Sequence, residues 1–221
     1  MSASDQRGLL LAMMEPPAAM EEEFQDWYDT EHFPERAALP EFLTARRFIC
    51  VDGWPRYLTL YDLQDVSALH GAAYAKVAGE KYSPWTHRIV SRLWGQYRAE
   101  GLQIYPGQAL LGDQGAATRL LLCRFRQVQR DLAGTIQHNL RAQFDSRPGT
   151  AQVRLFEATQ PDGTDYLGIV ELQGAAGAAR LDAAAFGPAA RFLDMEIERP
   201  TLVKPIDEPE SSPPLLLRAA G

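Results

Sequence analysis

The stretch FLTARRFICVDGWPRYLTLYDL, residues 42–63, decides the fold of this chain. It contains two runs of strand length, Phe42–Val51 and Arg56–Leu63, in which apolar, aromatic and polar residues alternate. Between the two runs lies the sequence Asp52-Gly53-Trp54-Pro55, and glycine with proline in a four-residue connection is typical of a hairpin turn. The sequence therefore predicts a β-hairpin at this position.

A matching stretch lies about 108 residues further along the chain. PEFLTARRF, residues 40–48, aligns with PGTAQVRLF, residues 148–156, and YLTLYDL, residues 57–63, aligns with YLGIVEL, residues 166–172. The first offset is 108 residues and the second 109, which predicts one inserted residue in the turn. Short matches of this kind can arise by chance, but internal repetition is characteristic of a chain built from two copies of one unit.

The two halves predict the same order of elements, deduced from apolar spacing and from turn residues. The elements predicted for the first half are strand Leu9–Glu15, helix 18–33, strands Phe42–Val51 and Arg56–Leu63, helix 66–80 and strand Arg88–Tyr97. Those predicted for the second half are strand Thr118–Arg126, helix 129–144, strands Thr150–Ala158 and Asp165–Leu172, helix 178–190 and strand Phe192–Val203. The order is β-α-β-β-α-β in each half, which is the ferredoxin-like split unit.

A ferredoxin-like sheet covers one face with its own helices, so its other face needs a partner. We therefore predict an α+β fold in which two tandem ferredoxin-like units face each other and form an intrachain α+β barrel. The units are residues 1–104 and a degenerate copy, residues 105–204, joined by a Gly- and Gln-rich linker over 99–116. A Pro-rich tail, residues 205–221, follows as a loose or surface extension.

Alternation along the first hairpin predicts the faces of its two strands. One face carries apolar residues, namely Leu43, Ala45, Ile49, Leu58 and Leu60, and we expect it to lie under the helices. The other is mixed, aromatic and polar, with Thr44, Arg46, Phe48, Tyr57, Thr59 and Tyr61, and it suits the wall of a cavity inside the barrel. The alternative is that this face packs against the other sheet without a cavity.

Composition narrows the class of function. The 221 residues are 46% apolar and 23% charged, as in globular proteins, and no apolar run approaches the roughly 18 residues of a membrane span. The net charge of −7 provides no chain-wide basic surface for nucleic acid. The short apolar run at residues 8–14 fits a first strand better than a signal peptide. We expect a cytoplasmic protein that acts on a small-molecule substrate, without nucleic acid or membrane as partner, as a monomer or homodimer.

Motifs for cofactors are missing from the sequence. The four histidines are far apart, Cys50 and Cys123 lie in separate strand-like runs, and neither pattern has metal-ligand spacing. GxGxxG, P-loop and GxSxG motifs are also absent. We therefore predict neither a metal nor another cofactor.

The densest group of polar and aromatic residues is WYDTEHFPER, residues 27–36. On a helix, His32 follows Tyr28 by four residues and Asp29 by three, so the three side chains can be neighbours. A carboxylate beside an imidazole raises its pKa and fixes its tautomer, as a general acid or base near neutral pH requires. The cluster thus predicts His32 as catalytic acid/base and Asp29 as its orienting partner.

A plainer interpretation of the cluster stays open. A histidine in the last turn of a helix is favoured by the helix dipole alone, Asp29 and His32 can form a simple surface pair, and Trp27 fits a core position. At the 108-residue offset His32 aligns with Leu140, so the second half does not repeat the cluster. That difference favours a function that only the first half performs, although drift can also produce it.

These residues resemble a known superfamily. The motif Trp27-Tyr28-Asp29-x-Glu31-His32-x-Pro34-Glu35-Arg36, with the hairpin that follows and Ser83-Pro84-Trp85-Thr86, is similar to the dimeric α+β barrel superfamily, nearest to its EthD-type and related uncharacterised bacterial members. The resemblance covers residues 8–98 well and 117–203 weakly. It implies facing ferredoxin-like units, usually from two chains. The superfamily includes isomerases, cyclases, lyases, cofactor-free monooxygenases and haem proteins, so the resemblance supports the fold more than the reaction.

The predicted function is a cofactor-independent enzyme that performs acid/base chemistry, of isomerase, cyclase or lyase type, on an apolar or aromatic carbonyl or phenolic compound. The residues expected to bind substrate are Tyr28, Arg46, Tyr57, Tyr61, Trp27, Trp85 and His87. One alternative is a cofactor-free monooxygenase or a haem protein with an axial histidine. Another is a non-catalytic binding or scaffold protein whose barrel is filled by side chains.

Overall fold

Eight antiparallel strands close into a barrel in the computed structural model, which describes residues 6–113, 117–128, 130–174, 181–194 and 201–205. The strands are β1 (Gly8–Glu15), β2 (Phe42–Asp52), β3 (Tyr57–Leu63), β4 (Trp94–Tyr105), β5 (Arg119–Phe125), β6 (Thr150–Gln160), β7 (Gly163–Leu172) and β8 (Thr201–Pro205). Around the barrel they follow the order β1-β3-β2-β8-β5-β7-β6-β4. The predicted α+β barrel class is confirmed.

Helices cover the outside of this barrel. The α-helices are α1 (Glu21–Trp27), α2 (Phe33–Ala37), α3 (Pro84–Val90) and α4 (Ala133–Phe144). A π-helical turn, Tyr28–His32, joins α1 to α2, and a 3-10 turn, Ala18–Met20, precedes α1. Further 3-10 turns are Val66–His70, Tyr74–Lys76, Gly79–Lys81, Arg130–Leu132 and Ala183–Phe192. No helix in the described ranges is long and apolar enough to cross a membrane.

The first predicted helix continues past Pro34, where we expected it to end. In the π turn the Phe33 N–H bonds to the Tyr28 carbonyl, five residues back. Pro34 therefore falls in the first turn of α2, a position that tolerates a residue without an N–H. The helical segment runs on to Ala37 as a result.

The predicted helix 66–80 is wrong, and the predicted strand Arg88–Tyr97 overlaps the observed strand Trp94–Tyr105 only in its last four residues. The only helical structure in residues 66–81 is three short 3-10 turns, and Gly79, which begins the last of them, has a left-handed φ of +60°. The second α-helix of this half is α3, which Ser83 caps by accepting a bond from the Thr86 N–H. The fourth strand therefore begins at Trp94 and extends into the predicted linker 99–116.

The end of the second half also differs from its prediction. Phe192, expected to begin the last strand, instead ends a 3-10 turn, and that strand is Thr201–Pro205. Part of the predicted helix 178–190 lies outside the described residues, as does the tail beyond Pro205.

The pairing of β2 with β3 corrects the predicted strand faces. Arg46 lies opposite Leu60, and Phe48 lies opposite Leu58, so these four side chains share the barrel side. Tyr57, Thr59 and Tyr61 were expected beside Arg46 but belong to the helix-facing side, because a shift of one residue in register exchanges the two faces. The first hairpin therefore sends its tyrosines toward the helices.

Apolar side chains and a buried layer of charge occupy the barrel interior. The Arg154 guanidinium lies 2.7 Å from the Asp62 carboxylate and 3.2 Å from that of Glu171, and all three side chains are fully buried. The backbone N–H groups of Leu111 and Gly112 donate to Asp62 at 2.6 Å and to Glu171 at 2.9 Å. A connection between β4 and β5 thus satisfies carboxylates from both halves of the barrel.

Candidate functional site

A cavity of about 110 Å³ lies between the outer face of the sheet and the helices of the first half. Aromatic and apolar groups dominate its wall, together with one imidazole and two guanidinium groups. The lining residues that matter for chemistry are Trp27, Tyr28, His32, Arg36, Tyr61 and Arg98. The helix cluster predicted from sequence therefore borders a cavity, but one outside the barrel rather than inside it.

The His32 ring is held among aromatic side chains. Its centroid lies 4.2 Å from that of Trp27 and 5.1 Å from that of Tyr28. Trp27 is itself anchored, since its indole N–H donates to the Thr86 hydroxyl at 2.9 Å, and that hydroxyl donates to Glu31. The continuous helical segment with its π turn places these three rings on one buried face.

Burial and positive charge lower the pKa of His32 well below its usual 6.5. Burial is the larger cause, and the guanidinium groups of Arg36 and Arg47 add to it. The imidazole is therefore neutral at pH 7, and its Nδ1 has no hydrogen-bond partner among the described residues. The predicted upward shift of this pKa is wrong in sign, because burial, and after it the two neighbouring guanidinium groups, disfavour the charged imidazolium. The Asp29 carboxylate forms an ion pair with Arg47.

Arg36 brings a nearly buried positive charge to the cavity. Its guanidinium donates to the backbone carbonyl groups of His32 at 3.0 Å and Val77 at 2.8 Å. Its ion pair with Glu35 spans 3.5 Å, and that carboxylate is well exposed. An anion in the cavity would therefore meet a cation that is only weakly neutralised.

Two buried tyrosines complete the wall. The Tyr28 hydroxyl accepts a hydrogen bond from Thr59 at 2.7 Å, and the Arg47 guanidinium lies 4.2 Å from the centre of its ring. Burial raises the pKa of Tyr28, and burial together with Tyr28 raises that of Tyr61. Both phenols are thus protonated near neutral pH and able to donate a hydrogen bond.

Several predicted substrate-binding residues lie away from the cavity wall. Tyr57 donates its hydroxyl to Glu21, and the Trp85 indole donates to Glu23 at 3.3 Å. His87 is exposed on α3. Arg46 lies inside the barrel, where its Nη2 would be 3.5 Å from a Cβ placed on Gly112. The structure thus brings together Trp27, Tyr28, His32 and Tyr61 from the predicted set.

Sequence reasoning missed other wall residues. Arg36 follows His32 by four residues, a helical spacing that could have revealed it. Tyr74 and Tyr82 lie in or beside the 3-10 turns where a regular helix was predicted, and Arg98 lies on the late-starting β4. In the described ranges no group of three or more His, Cys, Asp or Glu side chains could hold a metal ion.

Comparison with known proteins identifies the class of fold. No family model matches the chain, and no curated protein matches it. An anthrone oxidase-like protein of known structure is similar over 93% of this chain and 94% of its own, with a TM-score of 0.58 and 10% identity. Chlorite dismutase from Candidatus Nitrospira defluvii in complex with imidazole is similar over 97% and 95%, with a TM-score of 0.50 and 10% identity.

The chain thus shares the fold of antiparallel ferredoxin-like α+β barrel proteins. At 10% identity the likeness extends to the fold alone.

Proposed function

We propose that this chain is an enzyme in which neutral His32 removes a proton from a small apolar or aromatic carbonyl or phenolic compound. The observation that carries the proposal is an imidazole, whose pKa is lowered chiefly by burial, together with a buried guanidinium on the wall of one aromatic cavity. The reaction needs no cofactor. It begins with proton transfer to the imidazole and leaves an anion on the substrate.

The electrostatics of the cavity support this direction of transfer. A histidine with a lowered pKa is already unprotonated at pH 7, so it accepts a proton rather than supplying one. The new imidazolium and the substrate anion attract each other, and Arg36 stabilises the anion from the wall. In this proposal Tyr28 and Tyr61 orient the substrate oxygen and Trp27 stacks on its ring.

Asp29 influences His32 indirectly, through Arg47. Its ion pair holds Arg47, whose guanidinium covers the Tyr28 ring and lowers the pKa of His32. We propose Asp29 as a positioning residue in place of the direct partner that the sequence suggested.

An oxidative outcome is the second candidate. The structural likeness to an anthrone oxidase-like protein favours it, since that name implies oxidation of an enolisable aromatic ketone. Removal of a proton from such a ketone gives an electron-rich anion that dioxygen can oxidise. His32 would perform the same first step, so isomerisation and oxidation differ only in what happens to the anion.

The cavity does not fit a haem, which was the other oxidative alternative. Its volume is about 110 Å³, whereas sites for drug-sized ligands begin at about 300 Å³. A haem is larger than such ligands. No step of the proposed function therefore passes through this group.

We also propose that residues 1–104 and 105–204 are tandem ferredoxin-like units. The strand order β2-β3-β1-β4 in the first half corresponds to β6-β7-β5-β8 in the second. Arg46 pairs opposite Leu60 and Arg154 opposite Ile169, which agrees with the offsets of 108 and 109 residues. In this organisation only the first unit carries the proposed base.

Hydrogen–deuterium exchange tests the proposed proton transfer. Purified protein is incubated in D₂O without oxygen with the single-ring ketones phenylacetone or acetophenone, which match the small volume of the cavity, and loss of the acidic C–H signal is followed by NMR. We expect faster exchange with the native protein and a loss of about 100-fold in His32→Gln, the scale of a general base. Admission of air with an oxygen electrode then separates oxidation from isomerisation.

His138→Gln is the matched control, since His138 is an exposed histidine on α4. It should exchange like the native protein. Equal exchange in a folded His32→Gln variant, or no acceleration by the native protein with any of these ketones, would contradict the proposal.

A further inference from the structure

We propose a second ligand site, a crevice at one end of the barrel that binds a small planar carboxylate. It lies between the β2–β3 turn, the beginning of β4 and the end of β5, and its volume is about 140 Å³. The residues that define it are Trp54, Gly95, Tyr97, Arg124 and Arg126. It shares Gln96 and Tyr97 with the His32 cavity, but neither Arg124 nor Arg126 belongs to the lining of that cavity.

The crevice contains an exposed arginine that can bind an anion. Arg124 forms an ion pair with Asp194 at 2.6 Å, and both side chains are only 6% exposed. Arg126 is exposed and has no carboxylate partner among the described residues. A guanidinium presents two parallel N–H donors that match a carboxylate, so Arg126 supplies the anion-binding group.

Aromatic rings form the walls beside this arginine. The guanidinium carbons of Arg124 and Arg126 lie 4.8 Å and 5.8 Å from the centre of the Tyr97 ring. The Tyr97 hydroxyl donates to Asp165 at 2.7 Å, which fixes the position of that ring. Flat walls of this kind favour a planar ligand that stacks on them.

The Trp54 indole also lines the crevice, and it packs against the backbone of Gly95. It remains 47% exposed, yet it lies so close to Gly95 that a Cβ there would be 2.2 Å from the indole. Gly95 has a φ of +53°, which glycine adopts without strain. The exposed indole is therefore positioned before any ligand arrives, which lowers the entropic cost of binding.

Size and charge select the ligand class. A volume of about 140 Å³ is below that of a drug-sized site, so it suits a single ring with its charged group. Asp165 accepts bonds from the Tyr97 hydroxyl and from the Gln127 N–H, and these donors reduce its repulsion of an anion. A tetrahedral phosphate would use Arg126 but not the flat walls.

Titration calorimetry with sodium benzoate tests the site in the full chain. We expect saturable binding that weakens about tenfold or more in Arg126→Met, the loss of one charge-assisted pair. Trp54→Leu, which keeps the charge and removes a wall, should weaken binding by about threefold. Benzyl alcohol and inorganic phosphate, which lack the charge or the planar ring, should bind far more weakly than benzoate.

Arg92→Met is the matched control, because Arg92 is an exposed arginine outside the crevice lining. It should bind benzoate like the native protein, and so should His32→Gln, which separates this site from the proposed function. Absence of benzoate binding to the native protein overturns the proposal. Unchanged binding in folded Arg126→Met, or phosphate binding as tight as benzoate, also overturns it.

Discussion

Arg36 and Arg47 reach His32 from different elements of the first half. Arg36 lies on α2 and Arg47 on β2, and the positive charge of each lowers the pKa of the imidazole. Arg47 also contacts Tyr28 and Asp29, so it links the protonation of His32 to the aromatic wall. The neutral state of this histidine is thus a property of the folded sheet and helices together.

Arg36→Met should raise the pKa of His32, because one of the two nearby cations is removed. Arg36→Lys keeps the charge and should leave the pKa close to its native position. The measurement is an NMR titration of the His32 ring protons in each variant. An unchanged pKa in folded Arg36→Met would show that Arg36 does not contribute to it.

The lowered pKa of His32 also predicts how stability depends on pH. Below pH 6.5 the unfolded chain protonates this imidazole while the folded chain does not, so the free energy of unfolding falls as pH decreases toward the folded pKa. Above pH 6.5 this contribution is constant. Urea unfolding at pH 5.5 and 7.5 measures this effect. Between pH 7.5 and pH 5.5 the free energy of unfolding should decrease less in His32→Gln than in the native protein. An equal loss in both would contradict the assigned pKa.

Spacing along the helix was enough to place Tyr28 and His32 together, since neighbours on one helix are a local property. The sign of the pKa shift was not predictable in this way. It depends on burial and on Arg47, which comes from a strand whose packing against the helix is tertiary. The adjacent Asp29 was misleading because its carboxylate pairs with that same arginine.

At the scale of elements, the first residues of α3 both cap this helix and connect it to the π turn. The Ser83 hydroxyl accepts from the Thr86 N–H at 2.9 Å and donates to Glu31 on the π turn. Thr86 in turn accepts the indole bond of Trp27. The cap of α3 therefore supports the helix segment that carries His32.

Ser83→Ala should destabilise the protein by about 1–2 kcal/mol, because it removes a helix cap and one contact of Glu31. Ser91→Ala, at the exposed end of the same helix, is the matched control and should change stability by less than about 0.5 kcal/mol. Both values come from urea unfolding curves. Equal effects of the two variants would contradict the role given to the cap.

The strands were easier to predict than the helices. Alternation and turn residues located β1, β2, β3, β5, β6 and β7 within a few residues. The missed α3 carries the pattern Ser83-Pro84, a cap followed by proline at the first helical position, and this signal could have revealed it. The failed helix 66–80 shows that apolar spacing alone does not outweigh Gly71 and Gly79.

At the scale of the whole molecule, one buried arginine joins the two halves of the barrel. Arg154 comes from β6 and contacts Asp62 on β3 as well as Glu171 on β7. Thr44 and Gln152 donate to the same two carboxylates at 2.8 Å each. The sequence alignment of Arg46 with Arg154 predicted related positions, but not that the second would hold a carboxylate of the first half.

Arg154→Met should destabilise the barrel by about 3–5 kcal/mol, because it leaves two buried carboxylates without their cation. Arg92→Met removes an exposed arginine and should have little effect. Thermal and urea unfolding of both variants measure the difference. If Arg154→Met loses as little stability as the control variant, other groups must compensate the two buried carboxylates.

The loop that carries Leu111 and Gly112 has a consequence for how this chain can be cut or rearranged. Its two successive backbone N–H groups donate hydrogen bonds to Asp62 in the first half and to Glu171 in the second. The connection therefore helps to hold the two halves of the barrel together. New chain ends placed there by circular permutation would deprive both acids of donors at once. The turn between β6 and β7, at Pro161 and Asp162, is exposed, so new chain ends placed there should destabilise the fold less.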